Sequence, residues 1–233
     1  VTGEPRLCMA GGVALNSVAN GKLARSGPFA DVFVQPAAGD AGGALGAAQL
    51  ASHVALGLPR APPRRHAFLG SAEAPDDIVK FLDDCRIRHE VFASDAERDA
   101  AVARRLAAGE VGGLFQGRME WGPRALGARS IVADPRTRAM SDRVNARIKF
   151  REQFRPLAPA ALPDEVARFF EVPANDHLSP FMLTVVPVTP EGRATLGAVT
   201  HVDGSARVQT VDPARSPRMA ALLRAFKAET GVG

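Results

Sequence analysis

The residues best suited to chemistry lie between Gly117 and Pro159. Over that stretch glycine and proline punctuate Arg118, Arg124, Arg129, Arg136, Arg138, Arg143, Arg147, Lys149, Arg151 and Arg155, set against only Glu120, Asp134, Asp142 and Glu152. That is an excess of six positive charges in a chain of formal net charge +4, so the remainder is slightly acidic and the basic character is local. Guanidinium groups offer planar, bidentate hydrogen bonds that match phosphate and carboxylate oxygens. Concentrated between glycines and prolines, they suit a pocket for a compact anion better than a diffuse surface.

Four cations stand apart from the rest. Gly122-Pro123 before Arg124 and Gly127 after it predict a fixed turn presenting that side chain. Arg155 is held between Phe154 and Pro156, and Arg207 sits alone in a β-branched stretch after His201-Val-Asp-Gly204. Lys149 lies beside the stripe Met140, Val144, Ile148, where its stem can be buried while the ammonium reaches a cleft. Arg124, Lys149, Arg155 and Arg207 are therefore the candidate anion ligands, whereas Arg136, Arg138, Arg143 and Arg147 read as a solvated face. No Ser-His-Asp or Cys-His spacing and no His-x-x-x-His pair is present, so charge-stabilised phosphoryl or acyl-phosphate chemistry is favoured over nucleophilic catalysis.

The elements that must position these groups read as α/β. Residues 7–10 and 30–36 are predicted strands, each followed by a glycine turn, Gly11-Gly12 and Gly39-Asp-Ala-Gly-Gly43, and then a helix. Such turns let backbone N–H groups approach a ligand at a helix N-terminus, or are plain turns. Asp40 reads as a helix cap or a metal ligand. The proline-rich segment 59–75 is predicted to be a linker, with Asp76 or Asp77 capping the helix after it. A helix over 95–108 stopped by Gly109, strands at 111–116 and 129–133 and a helix over 140–150 follow. A short helix at 164–170, strands at 182–188 and 206–211 and a last helix over 217–229 complete the reading.

Composition bounds the rest. Apolar residues make up 46% and charged residues 23% of 233 positions, the mix of a folded globular chain of one or two domains. No run approaches a membrane span and no signal-like N-terminus is seen, so a cytoplasmic protein without membrane contact is expected. Cys8 and Cys85, far apart and without ligand spacing, read as reduced, buried thiols. Of 29 basic residues 25 are arginine, which invites a nucleic-acid reading, but tyrosine is absent and Trp121 is the single tryptophan.

The run Gly117-Arg-Met-Glu-Trp-Gly-Pro-Arg-Ala-Leu-Gly-Ala-Arg-Ser130 closely resembles the signature of the O-carbamoyltransferases of nodulation-factor and antibiotic biosynthesis. Asn145-Ala-Arg-Ile-Lys149, Arg151-Glu-Gln-Phe-Arg-Pro156 and His201-Val-Asp-Gly-Ser-Ala-Arg-Val-Gln209 resemble further blocks of that family. Gly11-Gly-Val-Ala-Leu-Asn16 and Gly39-Asp-Ala-Gly-Gly43 resemble the end of its actin-like nucleotide-binding domain.

The resemblance implies residues 1–60 as the tail of an actin-like domain, 61–75 as linker and 76–233 as a YrdC-like adenylate-forming domain. It implies an enzyme that forms carbamoyl-adenylate and pyrophosphate from carbamoyl phosphate and ATP, then passes the carbamoyl group to a hydroxyl of a small-molecule acceptor. Arg124, Lys149, Arg155 and Arg207, with Arg129 and Ser130, would hold carbamoyl phosphate and the ATP phosphates. Gly11, Gly12 and Asn16 would line the second nucleotide site, and Asp40 would be one ligand of a divalent iron, manganese or magnesium ion. The family pattern extends beyond both ends of this chain, which implies a fragment whose remaining ligands lie elsewhere; a homodimer is compatible with it. An RNA-binding or RNA-modifying module on the same fold is the alternative, and an actin-like small-molecule kinase a weaker third.

Overall fold

Two parallel strands open the chain in the computed structural model, which describes residues 2–60, 62, 65–173 and 176–233. Strand β1 (Arg6–Met9) pairs with β2 (Asp31–Val34) in the register Arg6 to Asp31 through Met9 to Val34. A 3-10 turn at Gly12–Leu15 and helix α1 (Ser17–Ser26) connect them, and Asn16 caps α1 by accepting from Ala19 N at 3.1 Å. Helix α2 (Asp40–Leu50) runs on into a π turn at Ala51–Ala55. The expected strand, glycine turn, helix repeat is thus present. Asp40, however, does not cap α2: Gly39 is the cap, without a side-chain bond, and Asp40 is exposed in the first turn.

Helix α3 (Pro75–Asp84) begins on Ala74 with Pro75 in its first turn, so Asp76 and Asp77 lie inside the first turn and not at the cap. There their charges still complement the helix dipole. Helix α4 (Asp95–Ala107) is capped by Ser94 and ends before Gly109, whose φ of 90° reverses the chain. Strand β3 (Val111–Phe115) then pairs antiparallel with β4 (Arg129–Ala133), and α5 (Arg138–Arg147) follows. The expected helix over 140–150 is shorter at its C-terminal end. Phe150 takes φ 46°, and Ile148 is exposed while Met140 and Val144 are buried. Lys149 is consequently carried by a loop instead of a helix face.

The last third is built from short pieces: β5 (Ala160–Ala161), α6 (Pro163–Phe169), β6 (Val186–Pro187), α7 (Pro190–Thr195), β7 (Ser205–Ala206), β8 (Gln209–Thr210) and α8 (Pro217–Thr230). The expected strand at 182–188 shrinks because Met182 adopts φ 54° at the end of a 3-10 turn, Ser179–Phe181. The expected strand at 206–211 divides in two, since β7 pairs with β6 while β8 pairs with β5. Arg207 sits where the chain changes partners.

The main core gathers Val144, Phe169, Phe170, Val186, Val188, Val208 and Phe226 from these elements. A second core joins the first two strands to residues near 180, through Val32, Val34, Leu178 and Leu183. Buried Asn20 ties the same regions, donating to Ala14 O at 2.8 Å and to Leu183 O at 2.9 Å. Within the expected linker, positions 61, 63 and 64 lie outside the described residues, and 67–71 pair along the arginine loop. Trp121 N donates to Ala67 O at 2.7 Å and Gly70 N to Met119 O at 3.0 Å. Cys8 and Cys85 are free, as expected, but exposed instead of buried, because β1 and α3 leave those positions facing outward.

Candidate anion-binding site

Glu120 shapes the loop that carries Arg124. Its Oε1 accepts from Leu126 N at 2.6 Å, Ala128 N at 2.8 Å and Arg129 N at 3.3 Å. One carboxylate thereby satisfies three backbone donors and fixes the turn between Gly122 and Gly127. Both glycines are left-handed, with φ 120° and 108°. A methyl group on Gly127 would sit 3.0 Å from Met219 of α8, so the loop is pressed against that helix.

Arg124 leaves this loop toward a cavity of about 420 Å³ and also reaches back to the amino-terminal unit, where its Nη2 donates to Leu15 O at 3.2 Å. Lys149, Arg151 and Arg207 line the same cavity, together with Ser130, whose Oγ accepts from Gly127 N at 2.9 Å. Ser130 lines the cavity, as do the strand residues after it, whereas Arg129 does not. Arg129 points the other way, stacked 3.7 Å over the Phe115 ring, with Nη1 donating to the Gln116, Gly117 and Ala128 carbonyls. Arg155 also lies outside the lining: its side chain is 56% exposed and its Nε is 3.7 Å from Glu152.

The electrostatics of the cavity are those of cations without counter-charges. Burial, with Arg124 and Arg151 adding repulsion, pushes the Arg207 guanidinium down to about 10. Burial lowers Arg124, and burial followed by Arg151 and Arg207 lowers Lys149. Arg151 is lowered by burial and by Arg155, with Glu152 acting weakly in the other sense. The Nε atoms of Arg124 and Arg207 are buried and have no hydrogen-bond partner. Asp134, an acidic residue in the wall, is already occupied by Arg136 at 2.6–3.0 Å. Buried donors left unpaired are costly, and an anion placed between them would satisfy the donors and relieve the repulsion.

Sequence reasoning misses Arg151. The signal that points to it is its place two residues after Lys149, in the loop that follows α5. Of the arginines read as a solvated face, Arg138, Arg143 and Arg147 are exposed, whereas Arg136 is half-buried in its pair with Asp134. The basic residues therefore do not form one continuous outer surface.

The amino-terminal candidates are not drawn into this cavity. Gly11 and Gly12 form an exposed turn, tied by Gly11 N to Ala38 O at 2.7 Å, and the Asn16 side chain is engaged in capping α1. Among the described residues no three His, Cys, Asp or Glu side chains come together to hold a metal ion, so Asp40 stands without co-ligands there. No helix among the described residues is long and apolar enough to cross a membrane.

Comparison with known proteins finds two family models along the chain. One described as Carbamoyltransferase C-terminus matches residues 103–233, and one described as Carbamoyltransferase N-terminus matches residues 2–49. The nodulation protein NolO of Bradyrhizobium diazoefficiens is 45% identical over 233 residues, covering 99% of this chain and 42% of the relative. The nodulation protein NolNO of Sinorhizobium fredii is 46% identical over 243 residues, covering 100% of this chain and 34% of the relative. The 3'-hydroxymethylcephem-O-carbamoyltransferase of Streptomyces clavuligerus is 37% identical over 227 residues, covering 97% of this chain and 40% of the relative. The chain thus spans well under half the length of each of these relatives.

Proposed function

The chain belongs to the carbamoyltransferase family, and from that premise we propose that its cavity binds carbamoyl phosphate together with the phosphates of ATP. The observation that carries this reading is the set of four cations, Arg124, Lys149, Arg151 and Arg207, facing one cavity with two buried guanidinium nitrogens unpartnered. Four positive charges exceed what one phosphate monoester balances, and they suit two phosphorylated substrates held side by side.

In this reading the carbamoyl group is activated as carbamoyl-adenylate. Balance requires one water: carbamoyl phosphate gives carbamate and phosphate, and a carbamate oxygen then bonds to the α-phosphorus of ATP as pyrophosphate leaves. Arg124 and Arg207 hold phosphoryl oxygens, and Lys149 and Arg151 offset charge that builds on the leaving pyrophosphate. Ser130 offers a hydroxyl at the edge of the same space. Arg155 acts through its field on Arg151, and Arg129 as a strut of the loop. Keeping the mixed anhydride enclosed limits its hydrolysis.

The architecture we assign is the end of an actin-like domain over residues 1–60 and a YrdC-like adenylate-forming domain over 76–233. Gly11, Gly12 and Asn16 would face the nucleotide of the first domain. Asp40 would serve a divalent metal only with ligands that the described residues do not bring to it, so no step is routed through that ion. The acceptor is a small molecule with a hydroxyl group; the name of the Streptomyces relative, an O-carbamoyltransferase of a hydroxymethylcephem, supports that class.

The test is pyrophosphate release from ATP by the purified protein, with and without carbamoyl phosphate. Release that depends on carbamoyl phosphate and drops by at least about 100-fold in Lys149→Ala is expected. Undiminished release in both Lys149→Ala and Arg124→Ala would remove the site from this cavity.

A further inference from the structure

Asn145, in the last turn of α5, has no exposed surface and does not line the cavity. Its amide nonetheless reaches the loop that does. Oδ1 accepts from Arg151 Nε at 2.7 Å, and Nδ2 donates to Arg155 O at 2.9 Å and Gln153 O at 3.3 Å. Its backbone carbonyl accepts from Arg151 N at 3.1 Å. One side chain thus ties three points of the stretch from Lys149 to Arg155.

That stretch has little else to hold it. Phe150 is left-handed and 83% exposed, and Phe154 is also exposed, so neither aromatic ring anchors the loop in a core. Arg151 repels Lys149, and Arg155 repels Arg151. A carboxylate in place of the amide would tether Arg151 more strongly. It would also cancel the charge that the cavity uses and leave the Gln153 and Arg155 carbonyls without donors. An aliphatic side chain would orphan all three groups. Among side chains of this size, asparagine combines an uncharged acceptor for the guanidinium with two N–H donors.

We propose that Asn145 is a positioning residue of the anion site: it holds Arg151 and the 149–155 loop in the anion-accepting form without neutralising them. The proposal rests on the cavity being the carbamoyl phosphate and ATP-phosphate site. It assigns the shape of that site to a residue that touches no substrate.

The experiment is a double-mutant cycle read by calorimetric binding of carbamoyl phosphate at fixed low salt. Its members are the wild type, Asn145→Asp, Arg151→Gln and the double variant. Each single substitution is expected to weaken binding by about tenfold or more. In the Arg151→Gln background, Asn145→Asp should weaken binding by several-fold less than in the wild type, because the part of its effect that travels through Arg151 is already gone. A purely structural asparagine would lower the melting temperature and weaken binding equally in both backgrounds, which would overturn the proposal. So would wild-type affinity in Asn145→Asp. If Asn145→Asp does not fold, Asn145→Ser keeps a small polar group without the reach to Arg155 O and serves the same cycle. No binding by the wild type would bring down the reading of the cavity and this inference with it. Binding that is lost in Lys149→Ala but kept in Asn145→Asp overturns the positioning role alone.

Discussion

Two glycine-bounded turns of this chain look alike on paper and differ in space. The turn Gly11–Asn16 precedes a helix, is exposed at Gly11 and Gly12 while Ala14 is buried, and has open space around both glycines. The turn Gly122–Gly127 is pressed between the amino-terminal unit and α8: a Cβ on Gly122 would lie 3.2 Å from Ala37 and one on Gly127 3.0 Å from Met219. The polar groups of the first turn are met by neighbouring backbone and side chains and by the cap of α1, with none of its buried nitrogens or oxygens on side chains left unpartnered among the described residues. The second is compressed until Arg124 and Arg207 bury nitrogens without partners. A glycine turn becomes a charged site when tertiary packing removes the water that would otherwise satisfy it. The two turns meet in one contact, Arg124 Nη2 to Leu15 O.

The comparison is sharpened most by removing the deepest charge. Burial, with Arg124 and Arg151 adding repulsion, holds the Arg207 guanidinium at about 10, well below its ordinary value. Its charge therefore opposes folding below pH 10, and that penalty is relieved as pH climbs above 10 towards the ordinary arginine range. Arg207→Met is expected to raise stability by about 1–3 kcal/mol while weakening carbamoyl phosphate binding by about 100-fold. Thermal melts and calorimetry read both; a fall in melting temperature with unchanged affinity would make Arg207 a structural residue. In the wild type, affinity for pyrophosphate should decline as pH rises through about 10 and Arg207 loses its proton, with Lys149, also lowered by burial, adding to the loss.

Next in size is the pair of alanine substitutions at the turns themselves. Gly127→Ala meets both φ 108° and the Met219 side chain, and should cost about 2–3 kcal/mol while shifting the loop that carries Arg124. Gly12→Ala enters open space without a left-handed φ and should stay within about 0.5 kcal/mol. Equal losses in urea unfolding would erase the distinction between the turns. Smallest is Asn16→Ala, which removes the α1 cap and should cost about 1 kcal/mol, seen as faster amide exchange over residues 17–26. A change in pyrophosphate affinity in that variant would show that the two turns are coupled through Arg124 and Leu15.

Much of the secondary structure is legible because its causes are local. The helix over 95–107 is marked by Ser94 at one end and Gly109 at the other, and the strand pair 111–115 and 129–133 by short apolar runs between turn residues. Local preference gives way where long-range contacts override it. Residues 206–211 read as one strand, yet the chain leaves one partner for another at Arg207. The helix after Arg138 reads through to Phe150, yet Asn145 pulls its end into a loop. Arg129 and Arg124 sit five residues apart in the same motif and face opposite ways, which composition cannot disclose.

The sequence by itself determined the α/β character, the local excess of cations, the family and the glycine-bounded turns. Each of these depends on residue identity and near neighbours. Tertiary structure decided which cations share a cavity, that Arg151 joins them while Arg129 and Arg155 stay outside, and that Asp134 is spent on Arg136 instead of them. Burial and the distance between charges set those outcomes, and both are properties of segments far apart in the chain.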